Sequence, residues 1–381
     1  MKNDWPILKL GEVLTERHES PKEDDLASGR VRVIEKISFD SGRVQLRIDG
    51  STKTGMILVR PGDLVLSGIN AAKGAIAIYD AEETAPIAAT IHYGAYETKP
   101  DRADVRFLWW MLRSHFFREI LLEYAPGGIK TELKARRLLP VPVPLPSLAE
   151  QRRLVQRIEE LAAQIQEAST LRRQASEEAD ALLRSILKND DEAQPTPLRE
   201  LVKLRSPDVV VRKEDIYQFA GVYCFGRGVF KSSCRSGMDF AYPRLTRLRA
   251  GQFVYPKLMA WEGAFGVVPP ECHGCVVSTE FPVFEVDENR VLHEVLDIYF
   301  RTPAVWPDIA GASTGTNVRR RRLNPEDFLN YKLPLPSRKT QVTLRKVHSE
   351  VDALKRLQAE TAAELDALLP AILDKAFKGE L

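Results

Sequence analysis

Residues 148–188 contain neither glycine nor proline, and that run limits what the chain can become. Leu154, Ile158, Leu161, Ile165, Ala168, Leu171, Ala175, Ala179, Leu182 and Ile186 advance by steps of three or four, which puts them on one face of a helix. The remaining positions carry seven Lys/Arg and seven Asp/Glu. At 1.5 Å per residue such a helix extends roughly 60 Å. A narrow stripe of that length cannot be hidden against a small domain, so it calls for a partner helix. Ser147 is placed to cap the first turn, with Glu150 completing a capping box.

The chain supplies the partner. A second run opens at Ser337 and carries Val347, Val351, Leu354, Leu357, Thr361, Leu365, Leu368 and Ile372. Pro370 is expected to kink or break it near its end. The two runs belong to a duplication. Pro144, Leu145, Pro146, Ser147 and Gln151 recur as Pro334, Leu335, Pro336, Ser337 and Gln341. Arg60, Gly62, Val65, Gly74 and Ala75 recur as Arg249, Gly251, Val254, Gly263 and Ala264, and Thr90 as Thr279. Residues 8–13 align with 199–204. These blocks keep offsets of 189 to 191 residues.

The expected organisation is therefore a domain at 1–146, a long helix at 147–189, a second domain at 190–336 and a second helix at 337–381. Symmetric packing of the two copies would make the helices antiparallel, a rigid spacer between similar domains. The alternative is that each helix folds back on its own domain. The first domain reads as short strands (30–35, 43–48, 56–59, 75–79, 86–92) followed by a helix at 105–124, with 291–300 as the counterpart. The fold class is α/β in the broad sense, α+β in detail.

Composition excludes several classes. With 44% apolar and 28% charged residues the chain is not disordered. No apolar run approaches the ~20 residues of a membrane span, and the first residues lack a secretion signal. Four cysteines make no disulfide scaffold, so a reducing cytoplasm is expected. The net charge of +2 leaves clustering, not total charge, as the indicator of a nucleic-acid partner.

The junction PLPSLAEQRRLVQRIEEL opening a long helix, its repetition in one chain, and the ending LLPAILDKAFKGEL together resemble the DNA-specificity subunit of Type I restriction-modification enzymes. The second junction, PLPSRKTQVTLR, departs from the first and keeps only the Gln of Ala149–Arg152. The resemblance implies two target recognition domains, each reading one half of a split site in double-stranded DNA. It implies an antiparallel coiled coil fixing the gap, with Leu154, Ile158, Leu161, Ile165, Leu182, Val347, Val351, Leu354, Leu365 and Leu368 in the seam. Two methylation subunits would dock on the chain, and two motor-nuclease subunits would join. Catalysis, the methyl donor, ATP and Mg would belong to those partners, leaving this chain non-catalytic and without cofactor. Because the two domains differ, the target should be asymmetric.

Two regions in each copy suit DNA. One is basic: Lys130, Thr131, Lys134, Arg136 and Arg137 in the first copy, and Thr314, Thr316, Asn317, Arg319, Arg320 and Arg321 in the second. Small-residue loops beside Arg and Lys allow close phosphate approach, although a solvated face tied to Glu326 and Asp327 would look the same. The other is a loop with Ser67, Asn70 and Lys73, matched by Lys257 and Trp261. Asn can read adenine and Lys guanine, or the loop can be a plain connection.

Other chemistry is weaker. Asp101, Glu132 and Lys134 mimic a metal-nuclease motif that the second copy lacks. Cys272 and Cys275 have zinc spacing, with Cys224 and Cys234 available, but the first copy has no cysteine; free thiols are expected, with a zinc site left open. No phosphate-binding GK[ST] loop or methyltransferase motif occurs. The competing function is a coiled-coil scaffold whose domains bind proteins.

Overall fold

The computed structural model describes residues 5–47, 54–80, 83, 85–124, 132–312 and 321–381. The chain divides into two compact units whose boundaries cut through the helices: Met1–Leu171 with Thr361–Leu381, and Arg172–Glu360. The long helix Leu148–Lys188 is continuous, so its first half belongs to one unit and its second half to the other.

In the first unit a four-stranded antiparallel sheet runs in the order Leu14–Glu16, Tyr93–Thr98, Leu64–Ser67, Ile76–Ile78. Hairpin Ile34–Ile37/Val44–Leu46 and pair Met56–Val59/Ile87–Thr90 form two further two-stranded sheets. In the second unit the order Val202–Leu204, Val283–Val286, Phe253–Val254, Gly266–Val267 repeats the first. A five-stranded sheet there contains the long hairpin Ile216–Tyr223/Gly228–Ser236. Antiparallel pairing dominates in both units, so the mixed helix and sheet architecture is of the α+β kind.

The alignment of 8–13 with 199–204 is corrected by these elements. The short helix Leu10–Glu12 corresponds to Leu198–Glu200, 188 residues on, and places fully buried Leu10 and Val13 where Leu198 and Leu201 lie. Apolar burial chose that register. The helix expected at 105–124 is two helices, Val105–Arg113 and His115–Tyr124. Ser114 between them is extended, and its hydroxyl donates to Met111 O at 2.6 Å.

The second long run is also two helices, Arg338–Glu360 and Ala362–Lys378. The break falls at Thr361, not at Pro370, which sits inside the later helix. Nothing in the local sequence accounts for the break, but it coincides with the boundary between units.

Each unit packs half of one long run against half of the other. In the first, Leu154, Val155 and Ile158 share a core with Leu373, Ala376 and Phe377. Phe377 meets Phe107 edge-on at 5.5 Å between ring centres and stacks on Phe116 at 6.3 Å. In the second, Leu183 shares a core with Leu344 and Val351, beside a cluster of Phe253, Tyr255, Phe265, Phe284, Phe300 and Phe328. Ser176 donates to Gln358 at 2.9 Å and Lys355 to Asp180 at 2.6 Å, so numbers rise along one segment as they fall along the other and the two run antiparallel. Among the seam residues, Leu154, Ile158 and Val351 are buried; Leu161, Ile165, Val347 and Leu365 are partly so. Leu182, Leu354 and Leu368 lie at the surface, and Leu183 takes the buried place beside Leu182.

A polar cluster interrupts the helix packing of the second unit. Asp297 accepts from Arg301 at 2.8 Å and from the Val267 amide at 3.1 Å, with His348 at 3.6 Å. Burial pushes the Asp297 carboxyl up, yet Arg301 and His348 hold it well below the usual range. The neighbouring Asp297 carboxylate raises His348 above its ordinary value against its burial, and Asp352 at 3.3 Å adds to the rise. A histidine raised in the folded state contributes stability that is complete below 6.5 and is lost as pH rises through the folded value. The second unit should therefore unfold at lower urea at about pH 8 than at about pH 6, and His348→Gln should flatten that difference. An identical pH profile for the variant would remove the assignment.

Candidate nucleic-acid interface

Two loops that are far apart in sequence meet in each unit, and the same backbone bonds join them. In the first, the Gly68 amide donates to His92 O at 2.7 Å and the Leu133 amide to Gly68 O at 2.7 Å. In the second, the Lys257 amide donates to Glu280 O and the Leu323 amide to Lys257 O, both at 3.0 Å. The turn loop and the basic segment, proposed from sequence as separate candidates, are thus one surface. Lys130 and Thr131, and Thr314, Thr316, Asn317, Arg319 and Arg320, lie outside the described residues.

The turns themselves are copies. Gly62 and Gly251 have φ of 86° and 85°, and Gly74 and Gly263 have φ of 94° and 74°, closing the short helices Ala71–Lys73 and Ala260–Glu262. Only glycine takes that backbone without strain. At Gly263 a Cβ would also strike the Trp306 ring at 2.2 Å.

The carboxylate that joins the loops changes sides between the copies. His92 contacts Glu132 at 3.1 Å in the first unit. At the matching places of the second, Glu280 contacts Arg322, and also Lys257 at 3.9 Å. Of the described residues in the basic run, Arg322 pairs with Glu280. Lys73 and Arg136 are exposed; Lys134 lies 3.5 Å from Glu132, and Arg137 donates to Glu132 O at 3.2 Å. Arg321 is partly buried. Ser67 is buried and accepts from the Asn70 amide at 3.3 Å, so its hydroxyl shapes the turn. Asn70 is half-buried. The indole N–H of Trp261 is buried without a hydrogen-bond partner among the described residues.

Glu132 is held by His92 and Lys134, and Asp101 lies in the turn before helix Val105–Arg113. Cys272 and Cys275 are buried; burial and the neighbouring Cys275 push the Cys272 thiol up to about 11, which keeps it protonated. Among the described residues no three His, Cys, Asp or Glu side chains form a group that could hold a metal. No helix among the described residues is long and apolar enough to cross a membrane.

Sequence matching pointed to Gln151 and Gln341 without a role; geometry supplies one. The Gln151 amide donates to Pro146 O at 2.8 Å and Arg102 O at 3.2 Å and accepts from the Asp104 amide at 2.8 Å. Gln341 does the same with Pro336 O, Arg290 O and the Leu292 amide, at 3.0, 3.3 and 2.9 Å. Each buried amide locks a long helix to the loop before its domain helix.

No family model matches the chain, and no curated protein matches it. Solved structures do. A chain in a structure described as underlying complex assembly and conformational transition of the type I R-M system is 20% identical, with a TM-score of 0.69 over 100% of both chains. The HsdS subunit from Thermoanaerobacter tengcongensis is 21% identical, with a TM-score of 0.53 over 99% of this chain and 97% of its own. The fold is that of these chains along the whole length.

Proposed function

We propose that this chain is the non-catalytic, sequence-specific DNA-binding subunit of a Type I restriction-modification system. The observation that carries the reading is the full-length likeness to a type I R-M chain, together with a doubled loop surface in which the same turn meets the same basic segment. Each domain reads one half of an asymmetric split site. A bidentate contact discriminates bases by ~1–3 kcal/mol, so a few per domain reach the ~4–10 kcal/mol of specific over non-specific binding. Two methylation subunits and two motor-nuclease subunits bind the chain and carry the methyl donor, ATP and Mg; the chain itself needs no cofactor. Methylome sequencing of the host with and without this chain should show one split motif vanish. An unchanged methylome would refute the reading.

The paired helices set the spacing between half-sites, which on one face of B-DNA repeat every ~34–36 Å. The place to change the length is where both runs pass between units: after Leu171 and after Glu360. One helical turn inserted at both places should alter the gap in the methylated motif and leave both halves unchanged. The original gap in the altered strain's methylome would sink the spacer role.

A further inference from the structure

In both units a hairpin tip carries an exposed phenylalanine, and in both an arginine at the end of a domain helix donates to a tip carbonyl. In the second unit Phe225 lies in the four-residue turn of hairpin Ile216–Tyr223/Gly228–Ser236 and is 65% exposed. Its φ is 62°, and it is the one non-glycine residue with positive φ among those described. A bulky side chain in that region is strained and persists only where its surroundings impose it. Here the Phe225 amide donates to Glu262 O at 2.8 Å, the Gly226 amide to Gly263 O at 3.0 Å, and the Arg301 guanidinium to Gly226 O at 2.6 Å. A Cβ on Gly226 would strike Arg301 O at 2.6 Å, so the tip is seated hard against the helix end.

Among the described residues the first unit shares the arginine contact and the nearby glycine turn, without the amide bonds or the left-handed backbone at the phenylalanine. Phe39, 46% exposed, lies at the tip of hairpin Ile34–Ile37/Val44–Leu46. The Arg113 guanidinium, 188 residues before Arg301, donates to Phe39 O at 2.8 Å. Phe39 O lies 3.0 Å from where a Cβ on Gly74 would be, and Gly74 is the counterpart of Gly263. Each tip therefore rests on the turn of the candidate interface. Phe39 shares a cavity of about 330 Å³ with Ser67 and Asn70. Phe225 is anchored to the turn that holds Lys257 and Trp261. One exposed cation flanks the second tip: Arg227 lies over Tyr223 at 4.6 Å, and Tyr223 stacks on Phe230 at 3.8 Å.

We propose that Phe39 and Phe225 are base-stacking side chains, one per half-site, each pressed against a base step at the edge of the sequence its domain reads. This rests on the DNA-reading role proposed above. A rigid aromatic on a gripped tip beside lysine and arginine suits stacking, which does not depend on base identity and is strong enough to measure. The Phe225 ring lies 6.4 Å from the Trp306 ring, a contact that aims it while leaving most of the residue exposed.

The test uses the full chain co-expressed with its methylation subunit, and duplexes containing the methylated site with 2-aminopurine moved stepwise through each half. The expected result is a fluorescence rise at one step per half. Phe225→Ala should abolish the rise in one half only, and Phe39→Ala in the other. Each should weaken binding about tenfold with an unchanged salt slope, because no phosphate contact is lost. Phe225→Gly should do the same while raising the melting temperature by roughly 2–4 °C, since it relieves the left-handed backbone. Wild-type affinity and fluorescence in both alanine variants would overturn the inference and leave the DNA role standing, as would unchanged DNA binding with a weakened subunit complex. No salt-sensitive binding by the unaltered complex would overturn both.

Discussion

Phe377→Ala should cost the first unit about 3–5 kcal/mol, the range for deleting a buried aromatic ring. Phe377 is 2% exposed, packs against Phe107 and Phe116, and belongs to the core that holds Leu154 and Ile158. The effect should be local, because the core of the second unit contains no residue beyond Val351. Hydrogen exchange by mass spectrometry should show faster exchange in peptides from 5–124 and little change in those from 194–300. Equal loss in both regions would mean that the units do not divide the helices as described. Restoring volume with Phe377→Leu should recover part of the stability, since it leaves a smaller cavity than alanine.

Gln341→Leu should cost about 3 kcal/mol although it adds apolar surface to a buried site. The substitution leaves two carbonyls, Pro336 O and Arg290 O, and the Leu292 amide without partners. Each buried unsatisfied group costs ~1–3 kcal/mol, and relaxation keeps the total below the simple sum. Gln341→Glu should be worse at neutral pH, because a carboxylate would face two carbonyl oxygens. Acidification should recover part of that loss, since a protonated carboxyl can donate to one of them. Urea unfolding should report these changes as shifts in midpoint at constant slope. A Gln341→Leu midpoint equal to the wild type would show that the lock contributes nothing. Gln151→Leu is the matched experiment in the first unit.

The repeat and both long runs were legible because they rest on periodicity and on turn residues, which sequence states directly. The strand beside Gly62 is legible from its turn residues but not in its bounds: Leu64–Ser67 is buried along its whole length and has no alternation to mark them. The break at Thr361 was missed because Pro370 is the stronger local signal, and Pro370 is tolerated inside a helix. Which helix half joins which unit could not be read, since Leu183 and Leu373 occupy the same kind of stripe. The candidate interface was legible in its parts and not in its assembly. The bonds Leu133 to Gly68 and Leu323 to Lys257 join segments about 65 residues apart, and the carboxylate beside them changes segment between copies, Glu132 in one and Glu280 in the other. Matching charges between copies would have pointed away from them. The tips Phe39 and Phe225 sit in hairpins of different length, so no alignment of the copies brings them together.

The exchange of helix halves also sets an order of assembly during translation. Residues 172–360 leave the ribosome as a finished set, with Leu183, Leu344 and Val351 all present. The unit begun first must wait for Leu373, Ala376 and Phe377, so the earlier-made half of the protein closes last. Until then residues 154–158 meet only the part of their core that the first domain supplies, and the share contributed by Leu373, Ala376 and Phe377 is missing.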